Sequence, residues 1–131
     1  MTDSAHLAVN GTLMRGLELN PNMVAAGATF VREASTVPAY RLWTINDVHP
    51  AMIRVTDDSG TAVELEVWDV PLDGLAGILL KEPPGLTIGK VTLDDGSEVL
   101  GVLGEPALVE GQLEITEHGG WRAYIASKEG A

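Results

Sequence analysis

The sequence predicts an α+β domain that is mostly antiparallel β, with a few short helices. Short runs that alternate apolar and polar residues dominate the chain, and most are rich in β-branched or aromatic residues. Glycine, proline and Asp-Gly pairs interrupt these runs at fairly even spacing, as turns do between strands. With 131 residues, the chain can build one hydrophobic core, so we expect a single domain over residues 1–131.

Seven runs are predicted to be strands because their β-branched and aromatic residues suit a pleated, half-buried surface. They are residues 7–10, 29–34, 40–46, 52–56, 63–70, 88–93 and 98–103. The segments 57–60 (Asp-Asp-Ser-Gly) and 94–96 (Asp-Asp-Gly) lie between neighbouring strands. Aspartate and glycine tolerate positive φ, so both segments are predicted to be tight hairpin turns.

Residues 20–27 and 71–82 have helical spacing instead. In the first, Asn20 is the predicted N-cap, Pro21 takes the first helical position and a glycine ends the helix. In the second, Pro83 disfavours helical geometry before it, so this helix must end by Glu82. The second helix also has a predicted apolar stripe, formed by Leu72, Leu75, Leu79 and Leu80.

The C-terminal region predicts a flexible corner at residues 119–120 that leads into a closing strand over 121–125. Strand alternation would place Trp121 and Ala123 on one face and Arg122 and Tyr124 on the other. Two interpretations are open for this strand: it covers the core, or Arg122 binds a ligand carboxylate beside an aromatic ring that excludes water. Residues 127–131 are predicted to be a frayed tail.

The charge balance argues against two classes of partner. Acidic residues outnumber basic ones by 19 to 8, for a formal net charge of −11, which repels phosphate backbones and anionic lipids. We therefore expect no nucleic-acid partner. No apolar run approaches the roughly 20 residues of a membrane helix, and residues 1–4 do not resemble a secretory signal, so no membrane association is expected.

Neither a cofactor nor a metal site is expected. The chain has no cysteine, which excludes disulfides and thiol chemistry and favours a cytoplasmic location. His6, His49 and His118 lack the paired spacing of zinc ligands, and the Asp-rich turns lack the EF-hand pattern. No serine-hydrolase elbow, P-loop or dinucleotide fingerprint is present.

The loop after the first predicted strand is the strongest candidate for a ligand site. Main-chain N–H groups can hold a carboxylate or amide oxygen there, because glycine lets the chain curl and lets a ligand approach closely. Asn10 and Thr12 either bind the ligand or stabilise the turn with side-chain hydrogen bonds. We predict that the substrate-binding residues are Asn10, Gly11, Thr12 and Leu13.

Five segments resemble, in order, the C-terminal domain of allophanate hydrolases. They are residues 11–20 (Gly-x-x-Met-x-Gly-Leu-x-Leu-Asn), 63–68, 85–89, 93–96 and 119–124, and the resemblance covers nearly the whole chain. It implies a γ-glutamylcyclotransferase-like fold, a small mixed β-barrel with peripheral helices, here without the amidase domain that usually precedes it. In that family the domain is assigned either carbamate decarboxylation or a role in assembly.

Two departures from the related patterns bear on mechanism. Gly11-Thr12-Leu13 is similar to the Tyr-Gly-Ser/Thr-Leu loop of γ-glutamylcyclotransferases, but Asn10 stands in place of the tyrosine. Many allophanate hydrolase domains carry histidine where this chain has Leu13, and leucine cannot transfer a proton. The role of that histidine is therefore not carried over.

Glu82 is the candidate general base. The resemblance to cyclotransferases implies that the general base is a glutamate that follows a helix and directly precedes a glycine-containing turn. Glu82 has such a position, directly before residues 83–85. A helix C-terminus and partial burial both raise the pKa of a glutamate. The alternative is a solvated side chain on an exposed loop.

The sequence leaves two hypotheses for function. In the first, the protein is a stand-alone homologue that binds or acts on a small carboxylate, amide or carbamate in urea or amide nitrogen metabolism. In the second, it is a noncatalytic assembly module for a homodimer or for a separately encoded amidase partner.

Overall fold

The computed structural model describes residues 3–129, and in it eight strands and four short α-helices build the predicted α+β class. The strands are β1 (Ser4–Val9), β2 (Thr29–Ser35), β3 (Tyr40–Ile45), β4 (His49–Arg54), β5 (Glu64–Pro71), β6 (Leu86–Thr92), β7 (Glu98–Gly104) and β8 (Leu113–Glu114). The helices are α1 (Asn20–Ala25), α2 (Leu72–Lys81), α3 (Pro106–Val109) and α4 (Trp121–Glu129), with a 3₁₀ turn at Thr116–His118. All seven predicted strands are present, with their ends shifted by up to three residues.

The described strands form two sheets. The larger has the order β2-β5-β1-β7-β6 and the smaller has the order β4-β3-β8. The pairing is antiparallel except between β1 and β7, which run parallel. The barrel that the resemblance implies is not closed, because β2 and β6 remain at opposite edges of the larger sheet.

Close backbone approach brings the two sheets together. Strand β4 packs on β7, and a Cβ atom on Gly104 would lie 2.8 Å from the Cβ of Ala51. Glycine is required at this contact because any side chain would push the sheets apart. The packing places the start of β4 beside the ends of β1 and β7.

The core lies on both faces of β5. This strand runs between β1 and β2, and Leu65, Glu66, Val67 and Trp68 are all buried. A strand covered on both sides loses the alternation of apolar and polar residues. Four consecutive residues of β5 are buried here, and one of them places a carboxylate, that of Glu66, in the interior.

Only one of the two predicted hairpin turns forms a hairpin. Residues 94–96 join β6 to its antiparallel partner β7, and Gly96 adopts the expected positive φ of 86°. Residues 57–60 follow β4 and precede β5, which lie in different sheets. The hairpin prediction for 57–60 is therefore wrong, because turn composition does not reveal which strands pair.

The predicted closing strand is a helix. Trp121 and Tyr124 are both buried, 2% and 6% exposed, whereas Arg122 and Ala123 between them are exposed. Burial at i and i+3 is the spacing of a helix, and it replaces the predicted strand alternation. Residues 127–129, predicted to be frayed, belong to α4; residues 1, 2, 130 and 131 lie outside the described part of the chain.

Helix α1 differs from its prediction at the cap. Leu19 is the N-cap and Asn20 is the first helical residue, so the predicted cap is displaced by one position. The Asn20 Nδ2 instead donates to the Leu13 carbonyl, 2.8 Å away. Gly27 follows the helix with φ of 80°, as the prediction of a terminating glycine requires.

Helix α2 ends where the sequence predicted but buries a different face. It stops at Lys81, and Glu82 is extended with ψ of 146°, as expected before proline. Ile78 is 2% exposed, whereas Leu80 is 86% exposed. The predicted leucine stripe is wrong at Leu80, and Leu72 and Leu79 are also exposed, at 49% and 38%.

No described helix is long and apolar enough to cross a membrane.

Candidate functional site

The predicted loop and Glu82 line one small cleft, as the first hypothesis requires. The lining residues are Val9, Asn10, Gly11, Thr12, Leu13, His49, Pro50, Glu82, Leu86 and Val102. They come from the end of β1, the following loop, the start of β4, the segment after α2, and β6 and β7. The cleft has a volume of about 20 Å³, room for about one water molecule.

Main-chain hydrogen bonds hold the loop in a tight turn. The Met14 N–H donates to the Gly11 carbonyl at 3.0 Å, and the Leu19 N–H donates to the Thr12 carbonyl at 2.9 Å. Gly11 also lies directly against Pro50, where a Cβ atom would come within 2.5 Å of the proline Cδ. Only glycine fits between the loop and β4.

The loop presents main-chain donors that the protein itself does not use. Among the described residues, no acceptor binds the N–H groups of Gly11, Thr12 or Leu13. Successive free N–H groups in a turn form a concave anion or carbonyl site. The turn therefore has the donors that the sequence analysis expected.

The side chains of the loop have different roles. The amide of Asn10, 4% exposed, donates to the Val102 carbonyl at 3.0 Å and so braces β1 against β7. This contact corresponds to the structural alternative for Asn10. Leu13 is buried in the core at 5% exposure, so it offers the cleft its main chain. Thr12 is half-buried, and a ligand contact by any of the three stays a prediction.

Glu82 is half-buried and lines the same cleft. Burial raises the pKa of its carboxyl group, and the nearby His49 opposes this in part. Within residues 3–129, neither a hydrogen bond nor an ion pair engages the Glu82 carboxylate. An unpaired carboxylate with a raised pKa in a cleft is a typical functional-site feature.

His49 is the other ionisable side chain of the cleft. It is half-buried, and its Nδ1 lies 3.0 Å from the carbonyl oxygen of Pro50. The sequence analysis found no partner for this histidine, because 33 positions separate it from Glu82 and neither local spacing nor a motif links them.

A larger cavity of about 370 Å³ lies beside Glu66, but the Glu66 carboxylate already has hydrogen-bond partners within the protein. Glu66 accepts from the Arg15 N–H at 2.9 Å, from the Trp68 indole at 3.1 Å and from the Arg15 and Arg122 side chains at 3.1 Å each. Burial would raise the pKa of Glu66, but these hydrogen bonds outweigh it and lower the pKa. We therefore assign Glu66 to structure and take the smaller cleft as the candidate site.

This cluster also gives Arg122 a definite partner. The residue was a candidate for binding a ligand carboxylate, and it does bind a carboxylate, that of Glu66. It also donates to the Arg15 carbonyl, so it ties α4 to the loop. The sequence carries no signal for the cluster, because Glu64, Glu66 and Asp69 all lie in the run 63–70 and only the structure shows that Glu66 is the buried one.

Across the described chain, no three His, Asp or Glu side chains converge in a way that could hold a metal ion.

Comparison with known proteins decides the family. The sequence profile of the allophanate hydrolase C-terminal domain matches residues 5–126. The chain belongs to this family. It is 32% identical over 128 residues to urea amidolyase of Saccharomyces cerevisiae, with 93% of this chain aligned. Urea amidolyase of Lachancea kluyveri is 30% identical over 94% of the chain. The chain spans about 7% of the length of either relative.

Solved structures of related proteins share the fold. A uropathogenic E. coli-specific protein has a TM-score of 0.92 and 61% identity, covering 95% of this chain and 97% of its own. The allophanate hydrolase of Kluyveromyces lactis has a TM-score of 0.89 and 30% identity, over 95% of this chain and 21% of its own. An AIG2-like mouse protein, at 21% identity, a TM-score of 0.59 and 81% and 82% coverage, shows likeness of fold alone. The γ-glutamylcyclotransferase-like fold class is confirmed.

Proposed function

We propose that this protein binds and acts on a small carboxylate, amide or carbamate, with Glu82 as the general base. The observation that carries the proposal is that two kinds of group without hydrogen-bond partners, main-chain N–H groups and a carboxylate, lie in the same cleft. The cleft is lined by residues 11–13, whose N–H groups have no acceptor in the described chain, and by Glu82, whose carboxylate is unpaired. A carbonyl or carboxylate oxygen suits the N–H groups, and an acidic N–H or a water molecule suits the carboxylate.

The electrostatics of the cleft suit these two roles, oxygen binding by the loop and proton uptake by Glu82. Main-chain donors stabilise negative charge that develops on a ligand oxygen without having to reorganise. A glutamate whose pKa is raised by burial takes up a proton more readily than an ordinary one, which improves it as a base near neutral pH. The two groups act on opposite ends of the same small ligand.

The size of the cleft limits how a ligand enters. A volume of about 20 Å³ accommodates about one water molecule, so a ligand of several atoms must displace part of the wall. Pro50 packs directly on Gly11. We expect binding to separate these two residues, with the start of β4 moving away from the loop.

The test is thermal unfolding of the wild type and Glu82→Gln with γ-glutamyl amines, 5-oxoproline, biuret, allophanate and malonate-type dicarboxylates. A ligand at about 100 times its dissociation constant adds roughly 2.7 kcal/mol to stability. We expect at least one member to raise the melting temperature of the wild type and to lose that effect in Glu82→Gln. The matched control is Glu18→Gln, an exposed glutamate of the same loop region.

Each arm can contradict the proposal. If no compound shifts the wild type, the ligand class is wrong. If a compound shifts all three proteins equally, the cleft does not use Glu82. A loss in Glu18→Gln as well would point to a general charge effect.

A second candidate function is that of a noncatalytic assembly module for a homodimer or an amidase partner. It is favoured by apolar side chains on the surface of the helical layer: Leu80 is 86% exposed on α2, and Val24 is 64% exposed on α1. Sedimentation of the wild type and Leu80→Lys, alone and with an amidase, tests this. A shared assembly that Glu82→Gln leaves intact and Leu80→Lys disrupts would support it.

A further inference from the structure

His49 lies in the candidate cleft and has no role in the function proposed above. It is the first residue of β4, and its side chain lines the cleft with Glu82. The wall residues from β1, the loop, β6 and β7 carry no ionisable side chain. Glu82 is therefore the charged group that faces His49, and His49 is the one that faces Glu82.

The hydrogen bond to Pro50 selects one tautomer of the imidazole ring. A carbonyl oxygen can only accept, so the contact of 3.0 Å requires a proton on Nδ1. In the neutral ring the lone pair then lies on Nε2, where the ring can take up a second proton. No other hydrogen bond engages the His49 side chain in the described part of the chain, which leaves Nε2 available.

We propose that His49 is the second proton carrier of the cleft, with Nδ1 held by Pro50 and Nε2 directed at the ligand oxygen. The inference rests on the function proposed for Glu82. In the working step, Glu82 takes a proton from the ligand nitrogen or from water, and Nε2 of the protonated His49 gives one to the ligand oxygen. After the product leaves, Glu82 releases its proton to solvent and Nε2 takes one up from solvent, which restores both groups.

The arrangement also accounts for the residue at position 13. Leu13 cannot titrate, and its side chain lies in the core, so the loop supplies donors but no exchangeable side-chain proton. His49 approaches the same loop from β4, where Pro50 touches Gly11. The acid–base pair is thus divided between β4 and the segment after α2.

The first experiment measures protonation directly and needs no ligand. In the wild type, ¹H–¹⁵N spectra should show His49 with its proton on Nδ1 at high pH. His49→Gln should raise the pKa of Glu82, followed by its carboxyl ¹³C resonance, because His49 lowers that pKa in the wild type. His6→Gln, which changes an exposed histidine on β1, should leave the titration of Glu82 unchanged.

The second experiment measures binding of malonamate between pH 5 and pH 8 by calorimetry. Wild-type affinity should fall as the pH rises over this range, and His49→Gln should bind with an affinity that varies less than twofold. His49→Asn repeats the test if the glutamine variant does not fold.

The outcomes separate the two proposals. A proton on Nε2 instead of Nδ1, or an unchanged Glu82 titration in His49→Gln, overturns the role of His49 whatever the ligand result. A Glu82 titration that changes in His49→Gln, without malonamate binding, supports the His49–Glu82 pair and counts against the ligand class. Binding with the same pH profile in wild type and His49→Gln rejects His49 as the proton carrier.

Discussion

Two glutamates of this chain show how partners determine the role of a residue. Glu66 is 2% exposed and accepts four hydrogen bonds that outweigh burial and lower its pKa. Glu82 is half-buried without such partners, so burial raises its pKa. The first is stabilised as an anion, whereas the second is the more readily protonated of the two.

At the residue scale we predict that Glu66→Gln destabilises the fold by about 1.5–3 kcal/mol at pH 7, because a neutral amide cannot replace the charge-assisted hydrogen bonds that the buried carboxylate accepts from Arg15 and Arg122. The surface control Glu33→Gln, which removes an exposed partner of Arg15, should cost less than about 1 kcal/mol. Urea unfolding measures both. Equal losses would show that burial of Glu66 is unimportant.

The loss of stability in Glu66→Gln should depend on pH, and the direction follows from the pKa shift of Glu66. The pKa of Glu66 is lower in the folded protein than its ordinary value of 4.5. Its contribution to stability is therefore complete above about pH 4.5 and is lost as the pH falls through the lower, folded-state pKa. The stability gap between wild type and Glu66→Gln should narrow over that acidic range and stay constant from pH 6 to 8.

At the residue scale, the sequence predicted those cleft residues whose signal lies within one short segment. Residues 10–13 and Glu82 were predicted together because each lies in a short recognisable segment, and the structure brings them to one cleft. His49 was missed because its relation to Glu82 depends on how β4 packs beside the end of α2. A strand's neighbours in another sheet cannot be inferred from its own composition.

At the element scale, α2 offers a matched pair of glycines. A Cβ atom on Gly74 would lie 2.2 Å from the Ala26 carbonyl oxygen, whereas one on Gly77 would meet nothing within 4 Å. We expect Gly74→Ala to destabilise the protein by about 1–3 kcal/mol, since α1 must move away. Gly77→Ala should stabilise it by about 0.5–1 kcal/mol, because alanine favours the helix. Denaturant unfolding of both variants checks this, and a loss of stability in Gly77→Ala would contradict it.

Most elements followed from the sequence, and the errors share a physical cause. Alternation and turn residues located the strands, since side chains on a half-covered strand must alternate. In α4 the aromatic pair Trp121 and Tyr124 suits either a strand or a helix over so short a run, and docking on the core selects the helix. For the same reason residues 57–60 look like a hairpin but pass between sheets.

At the scale of the whole molecule, α4 is the last described element, and charged side chains anchor it near both ends. Near its start, Arg122 binds Glu66. Near its end, Asp47 of the turn between β3 and β4 accepts from the Tyr124 hydroxyl at 2.6 Å and from Lys128 at 2.5 Å. The helix thereby links the larger sheet to the smaller one.

We predict that Asp47→Asn loosens this link in a pH-dependent way. The hydrogen bonds from Lys128 and Tyr124 lower the pKa of Asp47 from 3.8 to about 2. A lowered pKa means that the stabilisation is complete above about pH 3.8 and disappears as the pH falls through about 2. Asp47→Asn should therefore have a lower melting temperature than wild type at pH 7, and the two should converge near pH 2. Amide exchange should rise at residues 121–129 before it rises in β5. The exposed Asp58→Asn is the control, and a uniform rise in exchange across both sheets would show that α4 does not act as a separate link.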